Sequence, residues 1–316
     1  VLMTLLVINI PIAVGLAVSA IVAMLLKSGF DNLINIPLAM YNGAKSFPLI
    51  AIPLFILAGA IMNSSGISQR LIAFASALVG FIRGGLGMIT IATSMFFAEI
   101  SGSAVADASA LGSILIPAMK KKKYSAEFAA SVVSSSSSLA IIIPPSIPMI
   151  IYAVIAGCSV EQLFVAGVVP GVLGGFLMML TSYIYARRKK LPIEEAFNIK
   201  NLKRTAKAAS ISFLLPVIIL GGIFGGFVTA TEGAGLAVVA AIAIGAYYRE
   251  FSFKQFFEST IEGGMQTATV MLLVAASILL GEFLTLEQFP QKVASSLNAF
   301  SQNKYVILAL SLIHIS

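Results

Sequence analysis

Apolar residues run in long blocks along this chain, and the blocks come in two lengths. Val1–Met24, Phe47–Met62, Ala130–Ile155, Gln162–Tyr185, Ile211–Val228, Ala234–Tyr248 and Met265–Leu280 reach or approach the roughly 20 residues that a helix needs to cross a hydrocarbon core about 30 Å thick. Gly87–Ala98 and Ala108–Met119 are equally apolar but too short to cross, and only the polar stretch Glu99–Asp107 parts them. Two half-length runs joined by small polar residues predict a re-entrant hairpin over 85–119. Ile67–Ile82 and Phe251–Ile261 mix apolar and polar positions at helical spacing, which predicts helices lying in the interface plane. The expected fold class is an all-α polytopic membrane protein.

The basic residues orient it. Lys120–Lys123, Arg187–Lys190 and then Lys200, Lys203, Arg204 and Lys207 cluster in polar segments, which the positive-inside rule places in the cytoplasm. A broken helix over 130–156 going out and a return helix over 162–186 separate the first two clusters, so both fall on one side. The hairpin keeps Arg83 there, and the pair Ile211–Val228 and Ala234–Tyr248 brings Arg249 and Lys254 back to it. Residues 1–84 then supply scaffold helices and an interfacial arm, and 85–190 a first transport half. A cytoplasmic linker follows over 191–210, further scaffold helices over 211–285, and an interfacial helix with the start of a second transport half over 286–316. A faint echo supports the division: Phe30 and Gly43 recur as Phe251 and Gly264, and Gly59, Gln69 and Arg70 as Gly281, Gln291 and Lys292. An odd number of crossings between the copies makes the second one inverted, as in inverted-repeat transporters.

Composition narrows the function. Of 316 residues 59% are hydrophobic and 10% charged, with a mean hydropathy of +1.00, against about 25% charge in a soluble domain. The net charge of +7 lies in inter-span loops, where topology rather than nucleic acid explains it. One cysteine, Cys158, and one histidine, His314, leave no material for a disulfide framework, a multi-cysteine metal site or a His-based triad. An enzyme is therefore not expected, and without a GxxxxGK[ST] loop neither is ATP hydrolysis. Both ends read as cut within apolar runs, and Leu310–Ser316 resembles translated adapter sequence.

Three segments carry candidate chemistry. Glu99–Asp107 (EISGSAVAD) offers the small residues a hairpin tip requires, and non-helical backbone at membrane depth implies a cavity or buried protein surroundings. Half-helices meeting there present free N–H groups, suited to a carboxylate, and free carbonyls, suited to a cation such as sodium. Ser134–Pro148 (SSSSSLAIIIPPSIP) interrupts an otherwise spanning run. Its serines fit a helix-packing seam, but Pro144, Pro145 and Pro148 remove backbone donors, which favours an unwound strand facing the tip. Thr229–Gly233 (TATEG) reads equally as a helix cap built on Glu232 and as part of a site. Nothing in these residues separates sodium from protons.

At Ile52–Asn63 (IPLFILAGAIMN), Gly84–Gly87, Ser101–Met119 (SGSAVADASALGSILIPAM), Ile143–Tyr152 (IPPSIPMIIY) and Phe227–Ala234 (FVTATEGA) the chain resembles the DctM-like large membrane subunit of tripartite ATP-independent periplasmic (TRAP) transporters. It departs at Leu139–Ile142, where a Gly-Pro pair is expected ahead of IPPS. The resemblance implies an elevator-type carrier of the bacterial inner membrane with two re-entrant hairpins. It also implies Na+ as coupling ion without other cofactors, a small four-helix membrane subunit, and a periplasmic solute-binding protein delivering an organic acid anion. Carried onto this chain, substrate and ion candidates are Ser101, Gly102, Ser103, Ala104, Asp107, Ser136, Ser137, Ala140, Pro144, Pro145, Thr229 and Thr231, with Na+ held by Ser101, Ser103 and Ser137. A two-hairpin anion carrier without a binding protein and a permease driven by a separate ATPase are the competing readings.

Overall fold

The computed structural model describes residues 1–316 apart from Leu33, Glu195, 249–251, Lys304, Leu308 and 310–316. Arg249, Phe251 and His314, on which the sequence reading drew, thus lie outside the described residues. Every regular element among the described residues is helical: α1 (Leu2–Val7), α2 (Ile12–Ser28), α3 (Asn35–Ala44), α4 (Ala51–Ser64), α5 (Ile67–Val79), α6 (Gly85–Ser101) and α7 (Ala104–Lys121). Then come α8 (Ala126–Ser137), α9 (Ile147–Ala156), α10 (Val160–Arg188), α11 (Ile199–Phe224), α12 (Ala230–Tyr248), α13 (Phe253–Leu286) and α14 (Phe289–Phe300). Five of the described helical segments, Phe47–Ser64, α10, α11, α12 and α13, are long and apolar enough to cross a membrane.

Three expectations are corrected by local chemistry. The run Val1–Met24 is not one helix, because Asn9 takes a left-handed conformation (φ 61°) and Pro11 brings no N–H, so α1 ends and packs back on α2. Residues 199–210 are not linker but the first turns of α11, since Asn198 caps them by accepting from Lys200 N (2.9 Å) and Asn201 N (3.3 Å). Phe253–Ile261, from the expected interfacial stretch, and the run Met265–Leu280 merge into the 34-residue α13. Against α4, Gly263 lies 3.5 Å (from its would-be Cβ) to Leu57 Cα and Ser259 donates to Ser64 Oγ at 2.9 Å, so packing holds the Gly263–Gly264 pair helical.

Residues 1–45 and 269–316 form one compact unit and 46–268 another. The core of the first is Ala20, Met24, Ile36, Ala39 and Leu279, with Lys27 paired to Glu287 at its edge. Gly43 is needed there, because Ile278 occupies the place of a Cβ.

In the second unit α4 packs along α12, α5 lies against α6 and α11, and α6 is enclosed by α7, α8 and α10. Glycines set the register of α6 on α10: Gly175 admits Met95, Gly87 receives Ser182, and Gly84 takes Ala186. The two helices therefore run antiparallel, with the start of α6 at the end of α10. Farther up α10, Gly171 fits Ile143 and Gly167 fits the Ile142 carbonyl, in the segment where α8 gives way to α9. From Ala186 to Gly171 α10 rises about 22 Å, roughly half its length. The α6–α7 hairpin thus enters from the end carrying Lys120–Lys123 and Arg187–Lys190 and turns partway along α10.

This register places Cys158, exposed in the α9–α10 turn, opposite the lysine run. A membrane-impermeant maleimide is expected to label Cys158 in cells whose cytoplasm is sealed from the reagent; in a Cys158→Ala background, Lys121→Cys should label only after permeabilisation. The reverse pattern would invert the topology. The α10 contacts are also measurable. Gly167→Ala places a methyl 2.5 Å from the Ile142 carbonyl and should cost about 1–3 kcal/mol in detergent unfolding. Gly235→Ala in α12, with open space around it, should be neutral or stabilise by up to about 1 kcal/mol.

Candidate ion and substrate site

The break between α8 and α9 follows from its prolines. A helix running through this segment would bond the carbonyls of Ala140 and Ile141 to the N–H groups of residues 144 and 145, and both are proline. The chain tightens instead into a 3-10 turn over Ser138–Ile141, and Ile142 N and Ile143 N both turn to Leu139 O at 2.9 and 2.7 Å. Ser146 closes the gap from the far side: its hydroxyl donates to Ile141 O at 2.7 Å and accepts from Met149 N at 3.5 Å as the cap of α9. The Ala140 carbonyl accepts no hydrogen bond among the described residues.

The hairpin turns on two residues. Gly102 ends α6 in a left-handed conformation (φ 56°), and Ser103, extended, starts α7 by accepting from Ala106 N at 3.3 Å. Gly102 also makes the junction with the break, its carbonyl accepting from Ile147 N at 3.3 Å. A Cβ at position 102 would stand 2.8 Å from the Pro145 carbonyl, so both the backbone angle and the approach demand glycine. Ala104 is partly exposed, while Asp107, in the first turn of α7, is 1% exposed and donates its N–H to Ser103 O. Ser101 is the last residue of α6; its side chain lies outside the described ones.

The serine run is not the unwound strand expected of it. Ser134–Ser137 close α8 as regular helix, and the break itself is confined to Ile142–Ser146. The helical period divides the run. Ser136 points inward, sharing a hydrogen bond of 2.8 Å with Ser94 of α6, which is the packing-seam role. Ser137 is also buried, and its hydroxyl has no hydrogen-bond partner among the described residues. On the outer face, Ser131 and Ser135 line an open groove of about 640 Å³ with Thr181 and Ser182 of α10. Between tip and break sits a small apolar core of Ala98, Leu139, Ala140 and Ile143.

Thr229 and Thr231 have a different place. Thr229 caps α12 with Glu232: the carboxylate accepts from Thr229 N (2.8 Å) and Thr229 Oγ1 (2.9 Å), and Glu232 N donates back to Thr229 Oγ1 at 3.3 Å. Thr231 donates to the Phe47 carbonyl at 3.3 Å, and Ala230 N reaches Glu161 near the start of α10 at 3.4 Å. Glu161 precedes Gly167 by about 9 Å along α10. The contacts thus join Gly102 to Pro145 and Ile147, Asp107 to Ser103, Ser136 to Ser94, and Ala140 to Ala98, with Ser137 and Pro144 next to these in the chain; Thr231 instead meets Phe47, and Ala230, between Thr229 and Thr231, meets Glu161. Sequence reading missed Ser94, the capping role of Ser146, and Gly167, Gly171 and Gly175; the glycine spacing in α10 was the available signal. Thr93, buried beside Ser94 with its hydroxyl unpartnered among the described residues, left no signal.

The family described as "Tripartite ATP-independent periplasmic transporter, DctM component" matches residues 1–315. The chain is similar to the isethionate TRAP transporter permease protein DctMQ of Oleidesulfovibrio alaskensis, 36% identical over 96% of this chain and 48% of the relative. It is similar to the C4-dicarboxylate TRAP transporter large permease protein DctM of Pseudomonas aeruginosa, 38% identical over 93% of this chain and 69% of the relative. To the 2,3-diketo-L-gulonate TRAP transporter large permease protein YiaN of Escherichia coli it is 35% identical, over 92% of this chain and 68% of the relative. It therefore spans from about half to two thirds of the length of these relatives. By sequence, and with a helical structure of membrane-spanning length, the chain belongs to the DctM component family of the tripartite ATP-independent periplasmic transporters.

Proposed function

We propose that the chain is the hairpin-bearing part of a large permease subunit that imports an organic acid anion together with Na+ across the bacterial inner membrane. In this reading the anion is delivered by a periplasmic solute-binding protein, and a small four-helix membrane subunit completes the permease. The observation that carries it is the docking of Gly102 onto the break at Pro145–Ile147, a break that leaves the Ala140 carbonyl, with the buried Ser137 hydroxyl one turn before it, without a hydrogen-bond partner among the described residues. Such neutral oxygens at half-helix ends suit a hard monovalent cation. Relatives whose names specify isethionate, C4-dicarboxylate and 2,3-diketo-L-gulonate support an acid anion as cargo without choosing among acids.

The physical steps follow from these parts. A cation at the carbonyls of the break compensates the charge of an anion held near the N-terminus of α7, so both leave water together. Each net positive charge carried inward gains about 2.3 kcal/mol per 100 mV of membrane potential, which supplies a driving force without nucleotide.

Uptake into proteoliposomes by the full-length permease with its small subunit and binding protein tests the reading. Transport should require an inward Na+ gradient. Ser137→Ala should raise the Na+ half-saturation about tenfold, equivalent to about 1.4 kcal/mol, with maximal rate little changed, and Ser103→Leu should abolish uptake while leaving insertion intact. Unchanged Na+ dependence in both variants would sink the ion assignment. Uptake without binding protein would favour the two-hairpin carrier, and uptake after collapse of the gradient an ATPase-driven permease.

A further inference from the structure

The foot of the hairpin holds a buried carboxylate that the transport reading does not use. Helix α6 starts without a side-chain cap; Gly84, left-handed at φ 80°, contributes only its carbonyl, to Gly87 N (2.8 Å) and Met88 N (3.3 Å). A helix start with free N–H groups favours a negative charge nearby. Glu194, from the α10–α11 connection, lies close to that start, its Oε1 buried with no hydrogen-bond partner among the described residues. Its Cγ lies 2.8 Å from where a Cβ on Gly85 would stand, and its side chain is 8% exposed.

The same residue reaches the other leg. Glu194 Oε2 pairs with Lys122 Nζ at 3.2 Å, and Lys122 is the residue that closes α7. That closing turn is fixed by backbone bonds from Lys122 N to Ala118 O (3.3 Å) and Tyr124 N to Met119 O (3.1 Å), with Lys123 left-handed between them (φ 63°). The connection is itself stitched to the α5–α6 turn, as Gly84 N donates to Pro192 O (3.0 Å) and Glu194 N to Gly80 O (3.2 Å). Tyr124 records the carboxylate's nearness: burial first, then the Glu194 charge, push its hydroxyl up to about 12.

We propose that Glu194 is a positioning residue for the hairpin tip: by touching the start of α6 and pairing with the end of α7, it fixes the splay of the two legs and so the fit of Gly102–Ser103 on the broken helix. The leverage is geometric. Each leg is about 25 Å long, so a splay of about 4° at the feet moves the tip by about 2 Å, comparable to the distance by which the Gly102–Ile147 bond would be lost. The consequence for Na+ rests on the ion-site reading; the mechanical coupling does not.

Hydrogen–deuterium exchange on the full-length permease with its small subunit reads the coupling directly. In Glu194→Gln, amides at 102–107 should exchange about tenfold faster than in the native protein, with α12 unchanged. Lys122→Gln, at an exposed position that folding tolerates, should accelerate the same amides about threefold. In uptake, both variants should raise the Na+ half-saturation and leave the maximal rate within about twofold. Native exchange at the tip in both variants would overturn the proposal, as would a fall in maximal rate with the tip unchanged, which is the mark of a merely structural residue. Faster tip exchange in a permease whose native form ignores Na+ would uphold the clamp and reject the ion site.

Discussion

A backbone that leaves helical geometry at membrane depth must find its partners inside the protein, because lipid offers none and each unmet N–H or carbonyl costs several kcal/mol. In this chain the constraint falls on five residues, Ile142–Ser146. Two prolines remove donors there, two amides converge on Leu139 O, and Ser146 takes the Ile141 carbonyl. One further bond comes from elsewhere: the first amide of α9, Ile147 N, is accepted by Gly102 at the hairpin tip. The tip is thus part of how the break is made tolerable, and the break is part of what holds the tip.

Close approach makes this arrangement possible. The backbone of the break touches α10 directly at Gly167 and Gly171, and Met95 enters at Gly175. Without a hydrophobic driving force between helices in lipid, contact at that range is the chief source of attraction. Ser94 and Ser136 add a buried hydrogen bond of 2.8 Å between the hairpin and α8. The site is therefore held by small residues and neutral hydroxyls. Among the described residues no trio of His, Cys, Asp or Glu gathers to hold a metal ion.

How much of this was legible depends on whether a signal was local. Gly102, Ser103, Pro144 and Pro145 could be read because glycine and proline act on their own backbone, and apolar run length alone marked the hairpin. The two prolines after the serine run suggest unwinding from Ser134 onward, but their reach is shorter. Proline at 144 frees the carbonyl four residues earlier, at Ala140, and leaves Ser134–Ser137 helical. The start of α11 was hidden by its three lysines and one arginine, which look like loop in a hydropathy reading yet are good helix formers behind an Asn198 cap. The stitches through Gly80, Pro192, Glu194 and Lys122 join segments far apart in sequence, and no single-chain pattern encodes such pairings.

Charge placement along the hairpin bears on what its tip can hold. Each leg is a helix with a positive start and a negative end. At the feet both poles are met by opposite charge: Glu194 stands at the start of α6, and Lys120, Lys121 and Lys122 at the end of α7. At the tip the poles are exposed to one another, the negative end of α6 beside the positive start of α7. Asp107, in the first turn of α7, is buried there. In the proposed reading, a cation at the carbonyls and an anion at the amides would offset one another at this junction. Binding of the two together is what the proposed symport requires, so that the anion does not move without its coupling ion.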